Sequence, residues 1–432
     1  MSSSSPSLEA QPSESGDGLS AQIGAPRKRL YWAAAIALVL WTAAYIYAVL
    51  EVIPNGIYWL SYYAMNYDDG FVRRGLAGAI VGLFPNDEYF VVATVFVVGT
   101  VVAYFSGLLA LMVCILKRGP WAERRLAVAL LVPVLPCSVS FALLGPRPEL
   151  AVAGALVFFG IALSRAGDLR GSLTWSAGYG LFIAVMAFVH EGLPLEFALG
   201  AVLAISVIAP VQSASARWGC IAMATGPGLL ATAAVSLLGR RDTAAVICQD
   251  IPHATLRNTF KVPPDKVWDY LSGHFQSVSD YHDWVCANIL PAFDKGVESG
   301  MHDVWGVGLP ELTAGFAHGL LVCVATVFLI SYATGVRVKT FRQHIRGGLA
   351  VPAVALALMI PVFATGVDWI RWWVVILINI ACVYLLFAAG RPEIEAPVSK
   401  RQLKVLLAIG ILLAVIPFGG AAGYATGFAH SG

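Results

Sequence analysis

Apolar runs of about 20 residues recur along this chain, and each is long enough to cross the hydrocarbon core of a bilayer as a helix. They fall at about 30–51, 88–116, 126–144, 149–164, 173–189, 195–212, 218–238, 312–335, 347–366, 370–390 and 403–422. Short polar loops separate most of them. The pattern predicts an all-α polytopic membrane protein of about eleven transmembrane helices. Composition agrees: 58% of the 432 residues are hydrophobic and 12% charged, whereas soluble domains carry about 25% charged residues.

Residues 1–28 form a tail whose first 25 or so residues are Ser-, Gly- and Pro-rich and which runs into the basic cluster Arg27, Lys28, Arg29. With so few bulky apolar side chains the tail reads as disordered, because it buries too little surface to offset the entropy of ordering. It does not read as a signal peptide, since the basic cluster follows it and the apolar run behind has full spanning length. With the tail placed in the cytoplasm, 18 of the 28 basic residues fall on the cytoplasmic side and 19 of the 26 acidic residues on the other. Lys and Arg loop bias sets orientation, so the chain is expected in the inner (plasma) membrane with an extracytoplasmic C-terminus. The predicted organisation is the tail, a first membrane module at 29–238 with an outer loop at 52–87, an extracytoplasmic amphipathic loop at 239–311, and a second module at 312–432.

The 239–311 loop carries "DKVWDYLSGHF" and "SDYHDWVCANIL", whose Trp268, Tyr270, Phe275, Tyr281 and Trp284 are spaced as on interfacial helices. Five of the seven cysteines lie inside spans, where they act as small apolar side chains. Cys248 and Cys286 lie in the outer loop, so they form either a disulfide or two unpaired thiols. No Cys or Cys/His metal spacing occurs in the sequence.

Four polar clusters mark helix ends on the predicted outer side: Asp68, Asp69, Arg73 and Arg74 in "YDDGFVRRG", Arg147 and Glu149 in "GPRPEL", His190 and Glu191 in "VHEG", and Asp368 and Arg371 in "GVDWIRWW". Each alone reads as helix-end charge at the interface. Four at one face, mixing both signs, point to one partly sheltered pocket, since an arginine near hydrocarbon must snorkel or pair. Guanidinium forks match phosphate oxygens and stay charged when desolvated. Adjacent carboxylates facing them offer a general base, or a ligand for a divalent cation. A phosphate held at a bilayer edge belongs to a lipid carrier. His190 reads as a substrate-orienting group or as an interfacial hydrogen-bonding histidine, and Trp369, Trp372 and Trp373 read more simply as belt aromatics than as a sugar platform.

On these clusters, with the acidic pair in the first outer loop and the large loop between the seventh and eighth spans, the chain resembles the GT-C class of membrane glycosyltransferases and related multi-span proteins of polysaccharide loci. The resemblance implies transfer of a sugar from a polyprenyl-phosphate carrier to a glycan or lipid-linked acceptor on the outer face. It implies Asp68 or Asp69 as base, and Arg73, Arg74 and Arg371 on the leaving phosphate. Arg147, Glu149, His190, Glu191 and Asp368 complete the expected substrate-binding set. The usual long first loop is here compressed into 52–87.

An O-antigen-type polymerase is the nearer alternative, and a lipid or solute transporter the more distant one, because transport calls for charges along a path at mid-membrane. The expected partners are the lipid-linked sugar, its acceptor and membrane lipids. A net charge of +2 with basic residues accounted for by topology gives no nucleic-acid footprint. No cofactor is indicated beyond the divalent cation that paired carboxylates would accept.

Overall fold

The computed structural model describes residues 25–52 and 56–418. Most of the tail, and the end of the C-terminal run with its expected outer terminus, lie outside the described residues. The first membrane unit comprises α1 (Ala25–Tyr47), α2 (Gly56–Ser61), α3 (Gly75–Val81), α4 (Tyr89–Lys117), α5 (Glu123–Leu131), α6 (Val139–Leu144), α7 (Glu149–Arg165), α8 (Leu169–Ala187), α9 (Leu193–Val207) and α10 (Ala214–Leu238). The outer segment adds α11 (Ala244–Ile247), β1 (Thr255–Arg257), α12 (Val267–Leu271), β2 (Val278–Asp280), α13 (Tyr281–Asn288), α14 (Leu290–Asp294) and α15 (Val297–Val307). The second unit comprises α16 (Leu309–Thr334), α17 (Val338–Gln343), α18 (Ala350–Ala357), α19 (Met359–Thr365), α20 (Trp369–Ala389) and α21 (Lys400–Val415).

Among the described residues six helical segments are long and apolar enough to cross a membrane: Pro26–Val52, Asn86–Lys117, Glu123–Leu144, Ala214–Leu238, Leu309–Thr334 and Trp369–Ala389. All eleven expected runs are helical in the structure: these six have the length and composition to span, and α7, α8, α9, α18 with α19, and α21 lie at the other five. Two of the eleven runs are interrupted along their length. Pro133 sits in a 3-10 turn between α5 and α6, where a ring in place of an N–H interrupts the helical ladder. The 347–366 run is divided at Leu358 into α18 and α19.

At the centre stand α9, buried along nearly its whole length, and α20, with α7 beside them. Small residues permit the closest approaches, as expected where lipid tails leave packing as the main attraction between helices. A Cβ at Gly107 of α4 would lie 2.9 Å from the Gly154 Cα of α7, and one at Gly180 of α8 would lie 2.0 Å from the Met223 carbonyl of α10. Asn379, mid-way along α20, accepts from the Gly200 N–H at 2.7 Å and donates to the Glu196 carbonyl at 2.9 Å. The first turns of α9 are thereby fixed to α20.

The two ends of the bundle differ in charge. At one end, the basic pole, Arg27 pairs with Glu123 at 2.9 Å, Arg125 pairs with Glu395 at 3.0 Å, and Arg124 donates to the Ala396 carbonyl at 3.0 Å. At the other end lie the loops carrying Arg73, Arg147, Glu191 and Asp368, covered by the 239–311 segment.

That segment folds as a cap of short helices and one two-stranded sheet. Strands β1 and β2 pair antiparallel with Thr255 opposite Asp280, and Cys248 is bonded to Cys286 with their Cα atoms 5.5 Å apart. Tyr281 and Trp284, expected at an interface, pack inside the cap against Ile247, Phe293 and the 57–65 stretch, whereas Trp268 stays exposed. Asp294 accepts from the Ala244 N–H at 3.0 Å and closes the cap on itself.

Candidate functional site

The loop 66–76 is shaped by backbone conformation. Gly70 has φ +114°, and Arg74 is the one non-glycine described residue with positive φ, at 62°. A left-handed arginine is strained by about 1 kcal/mol, and its side chain shows what holds it there. Nε and Nη2 of Arg74 donate to the two carboxylate oxygens of Glu191 at 2.9 and 3.1 Å, a two-pronged pair across 117 residues. Arg73 approaches the same carboxylate at 3.6 Å and donates through Nε to the Phe293 carbonyl at 2.6 Å. The Phe293 ring lies 4.7 Å from the Arg74 guanidinium, so the cap closes over both arginines.

A second network meets the first. Arg371, at the head of α20, bonds Glu149 at 3.1 Å and Asp368 at 2.9 Å, and Arg147 stands 4.0 Å from the same Asp368 oxygen. Arg147 also lies 5.5 Å over the Tyr58 ring and 3.5 Å from its hydroxyl. Tyr58 touches Tyr62 on one side and the cap rings of Phe260 and Trp284 on the other. His190 joins the networks, since its electrostatic neighbours are Arg74, Glu191, Glu149 and Arg371. Burial first, and then Arg74, push the His190 pKa down to about 4, so the ring is neutral at pH 7. Its Nδ1 accepts from the Gly192 N–H at 3.2 Å, which leaves the ring proton on Nε2. Burial alone would raise the Glu191 pKa, but Arg74 overrides it and holds the carboxyl below the usual range.

Arg73, Arg74, Arg147, Glu149, His190, Glu191, Asp368 and Arg371 are thus brought into one region. Asp68 and Asp69 are not. Asp68 is exposed, and neither side chain has an ion-pair partner among the described residues. Instead the Asp69 carbonyl accepts from Arg240 at 2.8 Å, and Asn66 caps the Asp68 N–H at 3.1 Å. The expectation that Asp68 and Asp69 face the arginines is corrected: the facing carboxylates are Glu191, Glu149 and Asp368, because the turn at Gly70 and the left-handed Arg74 send neighbours in different directions.

Sequence reasoning missed Glu196. This side chain, 1% exposed in the first turn of α9, has no hydrogen-bond donor to either carboxylate oxygen among the described residues, and its electrostatic neighbours are Glu149, Arg371, Arg74 and Glu191. An acid at the start of the apolar run "LPLEFALGAVLAISV" was the available signal. Other buried polar atoms without partners lie in the same region: Arg147 Nε, Glu149 Oε2 and Arg371 Nε. Buried polar groups are normally satisfied, so this concentration marks a place where a polar ligand or water belongs.

Long apolar helices around a mixed-charge cluster, sheltered at one pole under a disulfide-tied cap, define a polytopic membrane protein with a built polar site. The chain belongs to the family described as uncharacterised membrane protein Rv1490, which it matches over residues 31–414. It is 43% identical over 403 residues to the Mycobacterium tuberculosis protein Rv1490 and to the Mycobacterium bovis protein Mb1527, covering 93% of each chain in both cases; both relatives are described as uncharacterised proteins. No solved structure matches the chain.

Proposed function

We propose that the chain is an integral membrane glycosyltransferase that moves a sugar from a polyprenyl-phosphate carrier to a glycan or lipid-linked acceptor, with the site pole on the outer face of the inner membrane. The observation that carries the proposal is the concentration of unpartnered guanidinium and carboxylate atoms on Arg147, Glu149, Glu196 and Arg371 at one end of the bundle. Arginines that keep free donors while largely buried suit a phosphate that must be held and then stabilised as it leaves. The sorting of basic residues to the opposite pole supports the orientation.

In the reaction an acceptor hydroxyl attacks the anomeric carbon, the bond from that carbon to the phosphate oxygen breaks, and polyprenyl phosphate departs with the electron pair. The hydroxyl proton passes to a carboxylate. We assign that role to Glu196, whose oxygens have no donor to occupy them, in place of Asp68 or Asp69, which stand apart from the arginines. Arg147 and Arg371 hold the leaving phosphate, Arg73 and Arg74 line the rim toward the cap, and neutral His190 donates from Nε2 to orient the acceptor. Glu149 and Asp368 fix the arginines. No step is routed through a metal ion.

The test is transfer by purified protein from polyprenyl-phosphate sugars. Glu196→Gln keeps size and hydrogen bonding but removes the proton acceptor, so turnover falls about 100-fold or more while carrier binding persists. Asp68→Asn and Asp69→Asn stay near wild type. Loss of turnover in either Asn variant with normal turnover in Glu196→Gln overturns the base assignment, and a wild-type protein that binds no polyprenyl phosphate overturns the proposal as a whole.

A further inference from the structure

The cap holds a second constellation, away from the arginine cluster. His253 lies just before β1, Asp280 closes β2, and His282 and Asp283 open α13. The hairpin sets Asp280 opposite Thr255, two residues past His253. On the same face of α13 as His282, four residues on, Cys286 is tied to Cys248. His253 Nδ1 lies 3.0 Å from Asp280 Oδ1, and His282 Nδ1 lies 3.0 Å from Asp283 Oδ1. The two imidazoles stack with centroids 4.1 Å apart. One donor atom from each of the four residues lies within 4.8 Å of all the others.

We propose that His253, Asp280, His282 and Asp283 form a binding site for a first-row divalent metal ion, zinc above all. Half of the donors are imidazole, which selects zinc, nickel, copper or iron over the oxygen-seeking calcium and magnesium. A tetrahedral zinc with bonds of about 2.0–2.1 Å has ligand–ligand edges of about 3.3 Å. Two edges already stand near that length, and the remaining contraction is a matter of side-chain rotation at the cap surface. His282 Nε2 faces the disulfide, 3.7 Å from Cys248 Sγ, so Nδ1 is the nitrogen presented to the metal. The Asp280 Oδ1 also accepts from the Asp283 N–H at 3.1 Å, which holds that carboxylate in place before any ion arrives. Bound zinc ties the segment before β1 to the start of α13 and so braces the cap that roofs the arginine cluster.

The experiment uses full-length protein in detergent, stripped with chelator and titrated with zinc, with cobalt(II) as the spectroscopic probe. The expected result is about one zinc per chain, a tetrahedral cobalt absorption band, and no comparable uptake of magnesium. His253→Ala and His282→Ala each weaken zinc by about 100-fold or more, and Asp280→Asn by at least about 10-fold. His274→Ala and His302→Ala, which alter other exposed cap histidines, leave binding unchanged. A wild-type protein that takes up no zinc overturns the proposal. So does zinc binding that survives His253→Ala yet disappears in the Cys248→Ser, Cys286→Ser double variant, since the metal is then held by reduced thiols.

Discussion

Replacing Glu191 by Gln strips the charge that faces Arg74 and Arg73 without changing side-chain size. In the native protein Arg74 is held by two charge-assisted bonds at 2.9 and 3.1 Å, with Arg73 at 3.6 Å. Both partners of the Arg74 pair have side chains 17% exposed, so the pair is largely desolvated, and breaking such a pair by removing one partner costs about 3–5 kcal/mol. The Gln carbonyl still accepts one neutral hydrogen bond, which returns about 1 kcal/mol. The net loss is about 2–4 kcal/mol, or about 4–8 °C in unfolding midpoint at about 2 °C per kcal/mol for a large chain. Arg74→Met costs a similar amount, because it leaves the largely buried Glu191 with only the more distant Arg73. The double variant removes both charges together, so the two effects do not add: a coupling of about 2 kcal/mol is expected in the cycle. Thermal unfolding of the four proteins in one detergent measures it. An additive cycle, or a Glu191→Gln midpoint within about 1 °C of wild type, refutes the claim that this ion pair holds the loop.

The left-handed backbone at Arg74 predicts that Arg74→Gly is more stable than Arg74→Ala by about 1 kcal/mol, although both lose the guanidinium; equal midpoints refute it. His190 has a folded pKa pushed down to about 4 by burial and then Arg74, against about 6.5 unfolded, so between those values the unfolded chain binds the extra proton. Stability therefore falls as pH drops from about 6.5 toward 4, with a slope of up to about 1.4 kcal/mol per unit, and His190→Asn flattens the pH–melting profile in that window. Reducing the Cys248–Cys286 bridge, 38 residues apart, removes about 4 kcal/mol of chain-entropy stabilisation from the cap, which proteolysis within 239–311 with and without reductant detects. Asn379→Leu leaves the Gly200 N–H and Glu196 carbonyl without their α20 partner and costs about 2–4 kcal/mol in melting stability, and more in activity if Glu196 is the base.

The sequence alone determined the class of protein and the sorting of its charge. A chain with a mean hydropathy of +0.74 must satisfy its backbone within its own helices, and its charges must gather at helix ends, so the arginine and carboxylate clusters could be located by reading along the chain. The interior of the runs was less legible, because run length does not show that the rods are interrupted at Pro133 and Leu358. For Cys248 and Cys286 the sequence left a disulfide and two free thiols equally open; the pairing of β1 with β2 and the packing of α13 brought the two together. Only the tertiary structure decided which charges meet. Asp68 and Asp69 lie a few residues from Arg73 and Arg74 yet part from them, because positive φ at Gly70 and Arg74 turns the chain without any periodicity that spacing could betray. Arg74 finds Glu191 and Arg371 finds Glu149 across 117 and 222 residues, and Glu196 enters the cluster because α9 is anchored to Asn379 in the middle of α20. These pairings arise from helix packing, and helix packing depends on the shapes of facing surfaces rather than on the order of residues along either one.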